Sequence, residues 1–89
     1  MAATLQFELV SPERRLASQQ VAMVVVPGVE GDFGVLPGHA PMMSTIRPGI
    51  IEIYATEGST PSARYEIAGG FAEVTPEGLT ILAEQATAL

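Results

Sequence analysis

The sequence predicts an all-β fold, an antiparallel β-sandwich or flattened barrel of about ten short strands. Glycine and proline turn signals recur about every ten residues along the 89-residue chain, which leaves no interval for a long helix. Between these signals, apolar and polar residues alternate with a period of two, as in strands that bury one face. Many short strands joined by turns indicate packed antiparallel sheets rather than a parallel α/β fold.

The turn signals divide the chain into its predicted strands. They are Pro27-Gly28, Pro37-Gly38, Pro48-Gly49, Glu57-Gly58, Gly69-Gly70 and the segment from Pro76 to Gly78. Gly28, Gly31 and Gly34 form a Gly-x-x-Gly-x-x-Gly pattern, which departs from the spacing of a dinucleotide-binding loop and precedes no helix. We therefore interpret these three glycines as turn formers.

The predicted strands follow in order along the chain. Leu5, Phe7 and Leu9 alternate with polar residues, and the same period returns near residues 51–53, 65–67 and 79–83. The run from Val21 to Val26 is β-branched and does not alternate, which predicts a central strand with apolar neighbours on both faces. We expect one β-sandwich domain over residues 1–84 and a short tail over residues 85–89. The Ala/Glu/Gln-rich segment over residues 83–89 could begin a helix. It is shorter than the about 12 residues at which an isolated helix becomes marginally stable.

Composition excludes several classes of function. Ten acidic residues against four arginines give a net charge of −6, and the chain has no lysine and no cysteine. A phosphate-binding loop needs a lysine, and a nucleic-acid-binding surface normally needs a basic stripe. Without cysteine the chain can form no disulfide, no thiol nucleophile and no Cys-ligated zinc site, and a single histidine allows no His–His metal pair. We expect no metal and no cofactor.

Hydropathy predicts a soluble domain that does not insert into a membrane. The longest apolar run, residues 21–26, is far shorter than the about 20 residues of a spanning helix. The N-terminus lacks the basic and apolar regions of a signal peptide, so we expect synthesis and use in the cytoplasm.

His39 is one candidate functional residue, because it lies in a segment from Pro37 to Pro41 whose prolines and glycine restrict the backbone. It could act as a general base with Asp32 and a serine, but no Gly-x-Ser-x-Gly motif accompanies it. It could also pack on its own loop or contact a partner. Of the consecutive Met42 and Met43, one must point away from the core unless both faces are covered, which hints at a binding face.

Glu30, Gly31, Asp32 and Phe33 form a predicted acidic tip between a strand ending at Val26 and the next at Val35. Two carboxylates could ligate calcium, but a calcium loop collects six to eight oxygens from a denser acidic segment. A solvated turn is the other alternative. We favour an exposed negative patch that meets a cationic partner, with Phe33 anchored either inward on the core or outward on the partner.

Four segments carry a family resemblance: Leu9–Glu13, Pro27–Pro41, Ile46–Gly49 and Ala68–Val74. With them, nearly the whole chain resembles the epsilon subunit family of bacterial F-type ATP synthases, the equivalent of the mitochondrial delta subunit. The second segment, Pro-Gly-Val-Glu-Gly-Asp-Phe-Gly-Val-Leu-Pro-Gly-His-Ala-Pro, is the longest and most specific.

The resemblance implies a ten-stranded, non-catalytic β-sandwich in the central stalk of a rotary motor that couples proton flow to ATP synthesis. It implies that the protein binds the gamma subunit on one side and the c-ring at one end, as a peripheral component at the cytoplasmic face of the bacterial inner membrane. By position, Glu30, Gly31, Asp32 and Phe33 would face the c-ring. The expected gamma contacts are Ser11, His39 and Ser44, to which we add the neighbouring Met42.

Similar bacterial subunits continue as a helical hairpin, which restrains ATP hydrolysis and in some members binds ATP. This sequence ends at Leu89, and residues 83–89 resemble only the start of that connection. The two properties of the hairpin are therefore not carried over, and we expect no ATP turnover and no tight nucleotide binding. The alternative function is a free-standing β-sandwich module that recognises a ligand or peptide through its loops.

Overall fold

The computed structural model describes residues 3–56 and 60–89, which form ten strands and no helix. The strands are β1 (Leu5–Val10), β2 (Arg15–Val21), β3 (Met23–Gly28), β4 (Gly31–Val35), β5 (Met42–Ile46), β6 (Gly49–Tyr54), β7 (Ala63–Ile67), β8 (Gly70–Thr75), β9 (Gly78–Ala83) and β10 (Ala86–Ala88). The predicted all-β fold of about ten short strands is confirmed.

The strands form one curled sheet in the order β10-β7-β6-β3-β5-β8-β9-β1-β2, with β4 paired to β3 outside this path. Every pairing is antiparallel except that of β1 with β9, so the sheet is mixed rather than wholly antiparallel as predicted. The antiparallel neighbour of β1 is its hairpin partner β2. On its other side β1 meets β9 in parallel, because the strands between them supply the long connection that a parallel pair needs.

One cluster of apolar side chains fills the inside of the curled sheet. In β1 the buried residues are Leu5, Phe7 and Leu9, which confirms the predicted alternation. The largest fully buried side chains are Phe7, Leu9, Val21, Val24, Val26, Val35, Ile51, Ile53, Leu79 and Ile81. Within residues 3–56 and 60–89 no polar or charged residue is buried, so the titratable side chains of this part of the chain lie at the surface or partly exposed.

The apolar run from Val21 to Val26 is not a single strand, and that predicted boundary is wrong. Strand β2 ends at Val21 and β3 begins at Met23, while the buried Ala22 between them donates its amide proton to the carbonyl oxygen of Tyr54 at 2.7 Å. The central position is confirmed for β3, which pairs with β4, β5 and β6. Its outer face is only half covered, because Met23 and Val25 remain partly exposed.

The predicted turn at Pro27-Gly28 is also wrong, because both residues are buried in β3 and the turn falls at Val29 and Glu30. Gly28 and Gly34 are strand residues, and only Gly31 has the positive φ of a turn former, at 132°. Pro37-Gly38 forms a turn as predicted, with Gly38 at φ 82°. The Glu57-Gly58 signal lies outside the described residues.

The tail is not helical, since residues 86–88 form β10 and pair with β7. A three-residue strand that completes a sheet edge gains ladder hydrogen bonds, whereas a helix of this length would not be stable alone. The division into a domain over 1–84 and a tail over 85–89 stays a prediction. No helix in the described ranges is long and apolar enough to cross a membrane.

Candidate functional site

The predicted acidic tip, residues Glu30–Phe33, is the end of the β3–β4 hairpin. Gly28 of β3 pairs with Gly31 of β4, and the two turn residues between them are exposed. The predicted strand ends at Val26 and Val35 are therefore corrected, because β3 continues to Gly28 and β4 already begins at Gly31. Asp32 and Phe33 are consecutive strand residues, so their side chains point to opposite faces of the hairpin.

Phe33 is anchored inward, which decides the alternative that the sequence left open. Its side chain packs against the core cluster. A Cβ atom built on Gly28 would lie 2.9 Å from Cε1 of Phe33 and 2.8 Å from the carbonyl oxygen of Gly31. Gly28 therefore lies directly against the aromatic ring, and this close approach is the reason for a glycine inside the strand.

We expect Gly28→Ala to destabilise the chain by about 1–3 kcal/mol, because the added methyl group forces the Phe33 ring and the hairpin apart. Gly34→Ala is the matched control, since its Cβ would meet only Sδ of Met23 at 3.6 Å. Urea denaturation compares the two variants. Equal midpoints would contradict the role assigned to Gly28.

Arg47 binds both strands of the hairpin, although the sequence analysis did not select it as a site residue. Its Nη2 atom lies 2.6 Å from Oδ1 of Asp32, and its Nη1 atom donates to the carbonyl oxygen of Gly28 at 3.0 Å. Its backbone amide donates to the carbonyl oxygen of Pro27 at 3.0 Å. The available signal was Arg47 itself, one of only four cations in the chain, within the Ile46–Gly49 segment.

The two carboxylates of the tip differ in their surroundings. The Asp32 side chain is 59% exposed and forms an ion pair with Arg47. Glu30 is exposed on the turn and forms no ion pair with a described residue. The only other ion pair in the part of the chain that the structure describes joins Arg15 to Glu8 at 3.9 Å. The negative charge of the tip is thus centred on Glu30.

An open groove of about 570 Å³ is lined by residues of the tip and of strand β5. Its lining consists of the hairpin from Gly28 to Phe33, of His39 and of the residues from Met42 to Thr45. The structure therefore brings together the residues predicted for the c-ring and most of those predicted for gamma. The assignment of each residue to a particular partner stays a prediction.

His39 is held by its own loop. Its Nδ1 atom lies 2.7 Å from the carbonyl oxygen of Ala40, and its backbone amide donates to the carbonyl oxygen of Leu36 at 3.1 Å. Because a carbonyl can only accept, Nδ1 carries a proton in this contact. Asp32 bonds to Arg47 and the hydroxyl of Ser44 donates to the carbonyl of Thr45, so these groups form no Ser-His-Asp arrangement.

Met42 and Met43 point to opposite faces of β5, as predicted for consecutive strand residues. Met42 packs against the core, whereas Met43 is 68% exposed. Phe71 and Leu82 are also more than half exposed, and they lie opposite each other on β8 and β9. This apolar outer face was not predicted from the sequence, although Leu82 stands at one of the positions of β9 that alternate with the buried ones.

Ser11 lies apart from the groove, in the turn between β1 and β2. Its hydroxyl donates to the carbonyl oxygen of Arg14 at 3.1 Å and accepts from the amide of Arg14 at 3.3 Å. It lines the same surface depression as the residues from Glu84 to Thr87, of which Ala86 and Thr87 belong to β10.

Tyr54 has a pKa raised by its surroundings. Burial, together with the Glu52 carboxylate 3.3 Å from its hydroxyl, raises the pKa of Tyr54 above the ordinary value of 10.0. Tyr54 pairs with Met23 at the opposite end of β3 from the tip, so it contributes no charge to the groove. Over residues 3–56 and 60–89, no group of three or more His, Cys, Asp or Glu side chains could hold a metal ion.

A projecting acidic hairpin, an adjoining groove and an apolar outer face define a small β-domain of the kind that binds other macromolecules. Residues 4–89 match the model of the ATP synthase delta/epsilon chain β-sandwich domain, and the chain belongs to this family. The family resemblance noted in the sequence is thereby confirmed.

Curated relatives carry the name ATP synthase epsilon chain. That of Rhodospirillum centenum is 63% identical over 89 residues, which are 100% of this chain and 61% of the relative. That of Parvibaculum lavamentivorans is 64% identical over 84 residues, or 94% of this chain and 62% of the relative. The chain therefore spans less than two thirds of the length of these relatives.

Two ATP synthases are among the solved structures that contain a similar chain. One is the mitochondrial ATP synthase of Euglena gracilis, described as OSCP/F1/c-ring, with a TM-score of 0.86 and 30% identity over 97% of this chain and 54% of that chain. The other is the central stalk and c-ring of the Tetrahymena thermophila mitochondrial enzyme, with a TM-score of 0.77 and coverage of 96% and 66%. At 16% identity, the second match shows the fold alone.

Proposed function

We propose that this chain is a non-catalytic central-stalk subunit of a proton-translocating F-type ATP synthase. It links the gamma subunit to the c-ring and thereby couples proton flow to ATP synthesis. The observation that carries the proposal is the family match over residues 4–89. Support comes from curated relatives named ATP synthase epsilon chain and from a similar chain in a structure that contains F1 and the c-ring.

The acidic tip is the proposed contact with the c-ring. It projects on a two-residue turn with Val29 55% exposed, and its anchoring by Phe33 suits a contact that must transmit force without deforming. An exposed carboxylate at Glu30 favours encounter with cationic loops and fixes their register. In this arrangement the subunit lies at the cytoplasmic face of the bacterial inner membrane, as a peripheral component of the complex.

The proposed gamma contacts are Ser11, His39, Met42 and Ser44. The last three line the same groove as the tip, so the proposed gamma and c-ring contacts are adjacent on the domain. The His39 loop is held by hydrogen bonds from its backbone and its ring, and a segment that is already ordered loses little entropy on binding.

We expect His39→Asp to weaken binding to isolated gamma by at least about fivefold, equivalent to about 1 kcal/mol, because it places a carboxylate in the contact. A pull-down with gamma, followed by titration, measures the affinity of each variant. Gln19→Asp, an exposed position on β2, is the control for added charge.

Unchanged affinity with His39→Asp would mean that the histidine serves only its own loop. A lowered melting temperature with unchanged affinity would support its packing role instead. If the unaltered chain does not bind gamma at all, the free-standing β-sandwich module becomes the better description of its function.

A further inference from the structure

We propose that Arg47 is the residue that positions the acidic tip, and that Asp32 serves as its internal ion-pair partner. Glu30 is then the carboxylate that the tip presents to the c-ring. This inference rests on the proposed function, in which the tip is the c-ring contact. It assigns different roles to two carboxylates that look equivalent in the sequence.

The contacts of Arg47 join both strands of the hairpin to the residue that follows β5. Its guanidinium bonds to Gly28 at the end of β3 and to Asp32 near the start of β4, at 3.0 and 2.6 Å. Arg47 is the residue directly after the end of β5, and its backbone amide donates to the carbonyl oxygen of Pro27 in β3 at 3.0 Å. The amide of Val29 in the turn also donates to the carbonyl of Thr45 in β5, at 3.2 Å. The hairpin is therefore bonded to Thr45 of β5 through its backbone, and to Arg47 through both its backbone and the side chain of Asp32.

An arginine suits this position better than a lysine. The planar guanidinium presents separate nitrogens to two acceptors that lie in different directions, here a carbonyl on β3 and a carboxylate on β4. A lysine ammonium is a point charge on a flexible stem, and it would have to favour one of the two. Arg47 can thus fix the relative position of both strands of the hairpin.

Phe33 and Arg47 hold the hairpin by different means. The Phe33 ring packs on the core and lies against Gly28, while Arg47 bonds to the carbonyl of the same glycine. Beyond this base the tip is open, since a Cβ on Gly31 would meet nothing within 4 Å. The projecting turn is thereby left accessible while its base is restrained.

The electrostatic consequence is that Asp32 and Arg47 largely cancel each other. If Asp32 lost its charge, Arg47 would remain as a cation beside the tip and would repel cationic c-ring loops. Neutralising Asp32 therefore acts through Arg47, whereas neutralising Glu30 acts on the contact itself. The two substitutions should differ in their effect on the hairpin in the absence of any partner.

Amide hydrogen exchange on the 89-residue chain tests the positioning role without the c-ring. We expect Arg47→Met to accelerate exchange of the Val29 amide by about two- to fivefold, the range set by an exposed ion pair. Arg47→Lys should give a smaller acceleration, and Glu30→Gln should give none. The buried β1 and β9 amides, at Leu9 and Ile81, report on global unfolding and should be unchanged.

A double-mutant cycle tests the pairing with Asp32. Asp32→Asn should accelerate exchange at Val29. In the double variant, Arg47→Met should add less acceleration than it gives alone, because both substitutions remove the same Asp32–Arg47 interaction. Strictly additive effects, or an unchanged rate in Arg47→Met, would overturn the proposal.

Coupled ATP synthesis in the reconstituted complex tests the functional consequence. We expect Asp32→Arg to lower coupling at least about twofold, and the exchanged pair Asp32→Arg with Arg47→Asp to recover part of that loss. No recovery would mean that Asp32 itself meets the partner, which contradicts the assignment. If Glu30→Lys and every other tip variant leave coupling unchanged, the c-ring contact is wrong, while the exchange results still decide the role of Arg47.

Discussion

The Gly78→Ala chain is expected to be largely unfolded at room temperature or to require much less urea for unfolding. Gly78 has a φ of 152°, and a Cβ there would lie 2.0 Å from the carbonyl oxygen of Gln6 and 2.8 Å from its backbone nitrogen. Strained backbone costs about 1–3 kcal/mol, and overpacking adds a similar cost. Because total stability is about 5–15 kcal/mol, the loss is a large fraction of the whole.

Gly38→Ala separates the backbone strain from the steric clash. Gly38 also has a positive φ, 82°, but a Cβ there meets nothing within 4 Å. Urea denaturation followed by circular dichroism should therefore give Gly38→Ala a modest decrease in midpoint and Gly78→Ala a far larger one. Similar midpoints would show that β1 and β9 can separate locally at little cost.

Reversing both charges of the tip, Glu30→Lys with Asp32→Lys, is expected to lower coupled proton pumping and ATP synthesis about five- to tenfold, because it places like charges across the proposed c-ring contact. The change at position 32 also sets a second cation against Arg47, which disturbs the base of the hairpin. Reconstitution into epsilon-depleted ATP synthase measures the loss. Gamma binding by the same variant should survive.

Glu66→Lys with Glu73→Lys is the matched control, since both positions are exposed and the change in net charge is the same. If this control lowers coupling equally, the effect is one of overall charge. Normal coupling in the tip variant would mean that the acidic tip is a solvated turn.

The strand content could be predicted from sequence because alternation and turn signals are local properties. The error at Pro27-Gly28 has a tertiary cause, since Gly28 is required by the Phe33 ring and not by a turn. The parallel pairing of β1 with β9 was likewise invisible, because it depends on how the whole sheet closes.

The candidate site shows the same division. The acidic tip could be predicted from its composition. The alternation of side chains along a strand predicted that one methionine of the Met42-Met43 pair is exposed. The pairing of Asp32 with Arg47 joins residues 15 positions apart, in different strands and connections, so no local pattern indicated it. The direction of Phe33 became clear only when the register placed β4 against β3.

The parallel ladder between β1 and β9 also governs how quickly the chain can fold. Leu5–Val10 can pair early with the adjacent β2, but its other neighbour is Gly78–Ala83, near the opposite end of the sequence. Closing so large a loop costs entropy before any contact repays it, and domains dominated by distant pairings fold in about milliseconds to seconds. During synthesis, one edge of β1 therefore remains unpaired until residues Gly78–Ala83 of β9 have left the ribosome.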